Sequence, residues 1–256
     1  MCLESSSSAV SQVWCDYFHS KAGSVDQLPW YTKYRLSSAE RRSIANSIQQ
    51  FQLGEGAEGR RLLKRGEDWA RSADDRGFVT ALSLFIREEQ RHSNMLLEFM
   101  RRERIPALPR HWLDEIFRHI RVLLGLELEL RVLVTAEVIA VPYYRALGRA
   151  TKSDLLRAIS SVILADEAGH LQFQKSMLTR IGARRDPGLR CLLTQLHRVF
   201  LVGTCSVVWM EHRSVFKAAK YSFGRLLEDS LAEMSALEAP SSGSVVFRPG
   251  RTEAVP

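Results

Sequence analysis

From Ser38 onward the apolar positions recur every three to four residues, the period of a helix that buries one face. A first stripe runs through Ile44, Ile48, Phe51, Leu62 and Trp69, and both Glu55 and Glu58 fall in its arc. Asp74-Asp75-Arg76-Gly77 breaks the pattern and can cap a second helix, whose stripe is Phe78, Ala81, Leu82, Phe85, Glu89, His92 and Leu96. Ile105-Pro106-Ala107-Leu108-Pro109 ends it. A third helical region spans about 111–150, with Leu126, Leu130, Leu133, Glu137, Ala140 and Tyr144 on one face and a bend expected at Gly125 or Pro142. Ser153-Asp154 opens a fourth, which carries Ile159, Ile163, Glu167, His170, Phe173 and Met177 in register. After Asp186-Pro187-Gly188 a fifth helix is predicted over about 189–237. No strand pattern is of comparable strength, so the chain reads as all-α.

The ends differ from this middle. Residues 1–37 mix Ser-rich sequence with Trp14, Tyr17, Phe18, Trp30, Tyr31 and Tyr34. Such aromatics are expected to pack over the helices as an N-terminal extension, with Met1–Ala9 loose. Ser37 or Ser38 is the expected cap of the first long helix. Residues 38–237 read as one helical domain, and the Pro/Ser/Gly-rich stretch 238–256 as a disordered tail.

With 256 residues, 45% of them hydrophobic, the chain has ample material for a core. The net charge of +7 permits acidic partners without establishing nucleic-acid binding, because pairs such as Arg60-Arg61 and Arg101-Arg102 suit solvated helix faces. Cys2, Cys15, Cys191 and Cys205 show no Cys-x-x-Cys spacing, so no zinc knuckle or rubredoxin-type iron site is indicated. Scattered thiols without a signal peptide point to a reducing cytoplasm. The longest uncharged run, Val199–Met210, is 12 residues, short of the roughly 20 that span a bilayer. A buried helix is expected there, and no membrane.

The chemistry lies in a repeat. Glu89-Gln90-Arg91-His92 and Glu167-Ala168-Gly169-His170 are both Glu-x-x-His, which places a carboxylate and an imidazole on one helix face. With 19 Glu and 7 His in the chain, chance would supply about half of one such match, so order and spacing must carry the case. Glu58 precedes Glu89 by 31 positions and Glu137 precedes Glu167 by 30, each interval a return to equal depth in an antiparallel pair. Two Glu-x-x-His helices plus one Glu from each of two others form the ligand set of a carboxylate-bridged dimetal centre. Equal depth selects Glu58 as the first ligand, whereas stripe packing favours Glu55, since Arg61 and Arg65 follow Glu58 on its face. A mid-helix carboxylate in an apolar stripe is expensive to bury alone, and a metal pair supplies the missing positive charge. Carboxylates with neutral imidazoles suit iron or manganese better than a thiolate-rich zinc site. Asp166 and Glu88, each preceding a ligand Glu, are expected to accept hydrogen bonds from the ligand histidines, Asp166 from His92 across the helices. Tyr143 and Tyr144 are candidates to line a pocket, with ordinary packing as the alternative; His197 and Glu211-His212 are expected to be packing or surface residues.

Arg87-Glu88-Glu89-Gln90-Arg91-His92 and Ala165-Asp166-Glu167-Ala168-Gly169-His170 resemble the two metal-binding motifs of the ferritin-like diiron carboxylate superfamily, as in acyl-carrier-protein desaturases and aldehyde-deformylating oxygenases. The resemblance covers about residues 40–180. It implies a ferritin-like four-helix bundle, here with an added C-terminal helix and the N-terminal extension, in which Glu58 (or Glu55), Glu89, His92, Glu137, Glu167 and His170 bind two Fe ions, or a Mn/Fe pair, that activate O2. The absence of rubredoxin-like Cys sites departs from rubrerythrin, and the added helix and leader depart from a minimal ferritin. The expected activity is an O2-dependent oxidase or oxygenase acting on a small organic substrate, with an external electron donor such as a ferredoxin, as a monomer or homodimer. The alternatives are an iron-storage protein and a tRNA-modifying diiron hydroxylase.

Overall fold

The computed structural model describes residues 4–21, 28–56, 59–109, 125–183 and 185–239. Among them are α1 (Glu4–Lys21), α2 (Ser38–Glu55), α3 (Arg60–Ala73), α4 (Arg76–Arg102), α5 (Leu126–Ala150), α6 (Asp154–Gly182), α7 (Pro187–Glu211), α8 (Arg213–Ala218) and α9 (Phe223–Glu238), and no strand. The all-α expectation holds.

The helix starts follow local chemistry. Ser37 forms a capping box with Glu40, its hydroxyl accepting from the Glu40 N–H while the Glu40 carboxylate accepts from the Ser37 N–H. Asp75 and Ser153 accept from the Phe78 and Leu156 N–H groups at the heads of α4 and α6. Such caps contribute about 1 kcal/mol each.

Four boundaries differ from the sequence reading. The stripe expected to run from Ser38 through Trp69 is broken between Gly56 and Gly59, and Gly59 sits at φ +62°, a left-handed turn that favours glycine. Residues from Glu4 are helical rather than loose. The expected fifth helix is three helices, because His212 caps α7 and Lys220, at φ +56°, turns the chain before α9. Tyr31, expected to pack, is 88% exposed. Gly125 is the N-cap of α5 rather than a bend, and Pro142 lies within that helix. Residues 110–124 of the third region and 240–256 of the tail lie outside the described residues.

Two apolar clusters form the interior. One joins α2, the far half of α4, α5, α6 and α7–α9 through Ile44, Phe99, Tyr143, Tyr144, Ile159 and Phe216. The other joins α1, α3, the near half of α4 and α6 through Trp14, Phe18, Phe78, Phe85, Phe173 and Met177. Each fully buried large side chain contributes about 1.5–3 kcal/mol. Glu89, His92, Glu167 and His170 lie between the clusters, since Phe18 and Phe85 contact the His170 ring from one side and Tyr144 reaches Glu55 from the other.

α7 stands apart. Leu201, Cys205 and Val208 are buried, while Leu192, Leu196, Val199 and Met210 are exposed. By length and composition it is apolar enough to cross a membrane, with 28% of its most apolar window buried. The 12-residue uncharged run is shorter than this stretch because a mean hydropathy over 18 residues tolerates a charge such as Arg198.

Candidate metal centre

The Glu-x-x-His motifs fall in the middle of α4 and α6, where 3.6-residue periodicity turns both members of each inward. One ligand atom from each of Glu89, His92, Glu167 and His170 lies within 4.8 Å of the others. His170 Nδ1 is 2.9 Å from Glu89 Oε1 and 3.5 Å from Glu167 Oε2, and His92 Nδ1 is 3.7 Å from the same Glu89 oxygen. Glu89 therefore stands between the two imidazoles, whose ring centres are 5.4 Å apart.

α2 brings in Glu55, whose Oε2 is 4.0 Å from His92 Nδ1 and whose Oε1 accepts a 2.5 Å bond from the Tyr144 hydroxyl. Glu58, the choice by equal depth, lies outside the described residues. α5 brings in Glu137, which accepts a 3.1 Å bond from the Gln174 amide. The charge of Glu89 acts on Glu55 and that of Glu167 on Glu137, each raising its neighbour.

The far nitrogen of each ring is occupied. His92 Nε2 is 3.1 Å from Asp166 Oδ2, and His170 Nε2 is 3.0 Å from Glu88 Oε2. An ionised carboxylate only accepts, so each Nε2 carries a proton, and either ring in its neutral form presents the Nδ1 lone pair inward. Arg91 ties the two outer carboxylates together, donating to Glu88 Oε1 at 2.7 Å and to Asp166 Oδ2 at 2.8 Å, and Lys21 Nζ lies 3.5 Å from Asp166. Asp166 and Glu88 thus occupy the places expected of them.

The electrostatics of the inner group are those of a site short of positive charge. Burial first, then neighbouring carboxylates, raise Glu55 and Glu137 well above the ordinary range and raise Glu89, while burial, against the lowering pull of Glu137 and His170, pushes Glu167 up to about 7. Burial disfavours the His170 cation, yet the Glu89 carboxylate and its neighbours raise it well above its usual value. Asp166 moves the opposite way, because the His92 hydrogen bond and Arg91 outweigh its burial. Among the described residues none of Glu55, Glu89, Glu137 and Glu167 forms an ion pair with Lys or Arg.

Buried polar atoms are nearly always hydrogen-bonded, so clustered exceptions are informative. Here His92 Nδ1, His170 Nδ1, Glu89 Oε1 and both Glu167 oxygens are buried without a hydrogen-bond partner. These are the atoms that converge. A buried group of two Glu and two His that could hold a metal ion is therefore present, and its donor set fits one.

Tyr143 lies one step away, stacked on Phe51 at 3.4 Å between ring centres and bonded to Ser47, which also meets His212 Nδ1 at 2.8 Å. His197, buried and bonded to Thr135, is held down to about 4 by burial and Arg131. Both histidines pack, as expected of them. Sequence reasoning missed three participants: Arg91, Gln174 and Tyr17. Arg91 and Gln174 were signalled by helical spacing, three positions after Glu88 and four after His170. Tyr17 was not, for its hydroxyl occupies the space a side chain at Gly169 would need, 2.0 Å from the position of a Cβ. No protein-family model, no curated protein and no solved structure matches the chain, so the metal centre is argued from these residues alone.

Proposed function

We propose that the protein is a ferritin-like, carboxylate-bridged dimetal oxidase or oxygenase that uses O2 and an external electron donor on a small organic substrate. The observation that carries this is a charge balance. Asp166 and Glu88 are matched by Arg91 and Lys21. Among the described residues the four inner carboxylates meet no Lys or Arg, only the two histidines, and two divalent ions would neutralise them.

Glu89, which stands between the two imidazoles, would hold the ions together with Glu55, His92, Glu137, Glu167 and His170. Iron, or manganese with iron, suits this oxygen-rich set and would supply O2 activation. The chain's own part is to fix the imidazole tautomers through Asp166 and Glu88, to keep water from the ions with Phe18, Phe85 and Tyr144, and to hold a proton on Tyr144, whose pKa burial and Glu55 raise well above normal. The exposed Leu192, Leu196 and Val199 on α7 favour a homodimer over a monomer.

Elemental analysis after anaerobic reconstitution with Fe(II) should give close to two ions per chain. Saturation at one ion, or none, removes the dimetal reading. Size-exclusion chromatography with excess Fe(II) and air should then show a dimer that takes up no further iron; a large shell holding many irons per chain would replace oxygenation with storage.

A further inference from the structure

A cleft of about 380 Å³ opens on the outer side of α4, away from the inward-facing ligands. Its floor is built by helical spacing, because Arg87, Gln90, Arg91 and Asn94 follow one another at three- and four-residue steps. Met95 and Trp30 supply apolar walls. The volume falls within the usual range for small-ligand sites, about 300–1,000 Å³.

Two observations give this cleft a sign. Arg87 is exposed and, among the described residues, has neither a hydrogen-bond nor an ion-pair partner. Arg91 spends its terminal nitrogens on Glu88, Asp166 and the Lys21 carbonyl, but its Nε is buried and unbonded. The one acidic lining residue, Glu98, faces Arg101 at 3.5 Å. An unused guanidinium, an unbonded buried N–H and polar amides beside a tryptophan and a methionine suit a ligand with an anionic head and an apolar body.

We propose that the cleft binds the carboxylate of a small organic acid, with Arg87 holding the charge and Trp30 and Met95 flanking the apolar part. Arg91 makes the site more than a surface feature. It lines the cleft and also bonds both carboxylates that orient His92 and His170, so an anion there pulls on the two imidazoles at once. Anion binding rests on the cleft alone; its effect on the imidazoles rests on the metal reading above.

Calorimetric titration of the full metal-free chain with hexanoate separates these parts. Binding of hexanoate, at least 10-fold weaker binding of the neutral hexanamide, and at least a 10-fold loss in Arg87→Gln are expected. Arg87 is exposed and, among the described residues, has no hydrogen-bond or ion-pair partner, so that variant should keep its melting temperature. Trp30→Ala should also weaken hexanoate. No binding, equal binding of hexanamide, equal binding of inorganic phosphate, or an unaffected Arg87→Gln each overturn the proposal. In Co(II)-loaded protein, hexanoate should shift the visible absorption bands, and Arg87→Gln should abolish the shift. An unshifted spectrum despite calorimetric binding overturns the link through Arg91, while failure to bind Co(II) at all counts only against the metal centre.

Discussion

The two halves that supply the site follow one plan and differ at one place. In the second half, Glu137 sits in the middle of α5, an unbroken helix, and a three-residue turn returns the chain to Glu167 on α6. In the first half, Glu55 is the last residue of α2, and Gly56 and the left-handed Gly59 intervene before α3. The intervals show the cost in chain length: 34 positions separate Glu55 from Glu89, against 30 between Glu137 and Glu167. A carboxylate at a helix end is held by fewer backbone bonds than one in mid-helix. In the proposed metal site the second half would fix its ligand by the helix itself and the first half by a side chain, since Tyr144 reaches from the second half to bond Glu55.

The largest expected effect sets the carboxyl pair of the second half against the metal. In metal-free protein, Glu167 at about 7 and Glu137 well above normal bind protons in the folded state that the unfolded chain has released above pH 4.5. The folded state binds more protons, so unfolding free energy must fall as pH rises from 4.5 to 7, by roughly 3 kcal/mol from Glu167 alone. Urea unfolding with a chelator present should show that decline, and Glu167→Gln should flatten it. Stability rising over the same window would mean the pair is ionised and matched by a cation. Bound metal should restore stability most at the higher pH, where protons no longer compete for the ligands.

Next comes the difference between the solitary glutamates. Glu137→Ala and Glu55→Ala should each weaken Fe(II) binding by at least the roughly 10- to 100-fold typical of outer partners, and Glu137→Ala should weaken it more. Glu58→Ala should leave affinity unchanged. If Glu58→Ala proves the damaging change, the ligand lies past the helix end and is not the carboxylate that Tyr144 bonds. The smallest effect probes the break itself: Gly59→Ala forces an L side chain into a left-handed turn and against Ile86, whose Cδ1 is 2.5 Å from the new Cβ position. A loss of about 1–2 kcal/mol is expected in thermal unfolding, together with weaker metal binding, whereas a neutral result would show that the break is not fixed by this turn.

These tests bear on what the sequence could reveal. Periodicity placed the inward faces of α4, α5 and α6 well, because a ligand on a continuous helix shares the register of its apolar neighbours. It also indicated Asp166 and Glu88, whose chemistry is set by the imidazole next to them. Matched spacing selects Glu58 on the assumption of a regular rise from α2 onward, and the helix end at Glu55 with the left-handed Gly59 removes that assumption, while Glu58 itself lies outside the described residues. The α7–α9 corner reads as one helix because Leu, Val and Phe continue across it, whereas the chain breaks at His212 and turns at the αL residue Lys220. Tyr17 lies 152 positions before Gly169, and no local pattern encodes a contact at that distance.

That contact also bears on how the protein is made. Lys21, the end of α1, leaves the ribosome 148 residues ahead of the glycine that seats its helix. At about 5–20 residues per second, the interval is roughly 7–30 s. During it α2, α4 and α5 emerge with Glu55, Glu89, His92 and Glu137, and α4 can meet the apolar face of α1 before α6 arrives. Gly169 and His170 are consecutive, so the seat of the first helix and the last ligand reach the nascent chain together. In the proposed metal site, the complete donor set and the seat of α1 would therefore become available together.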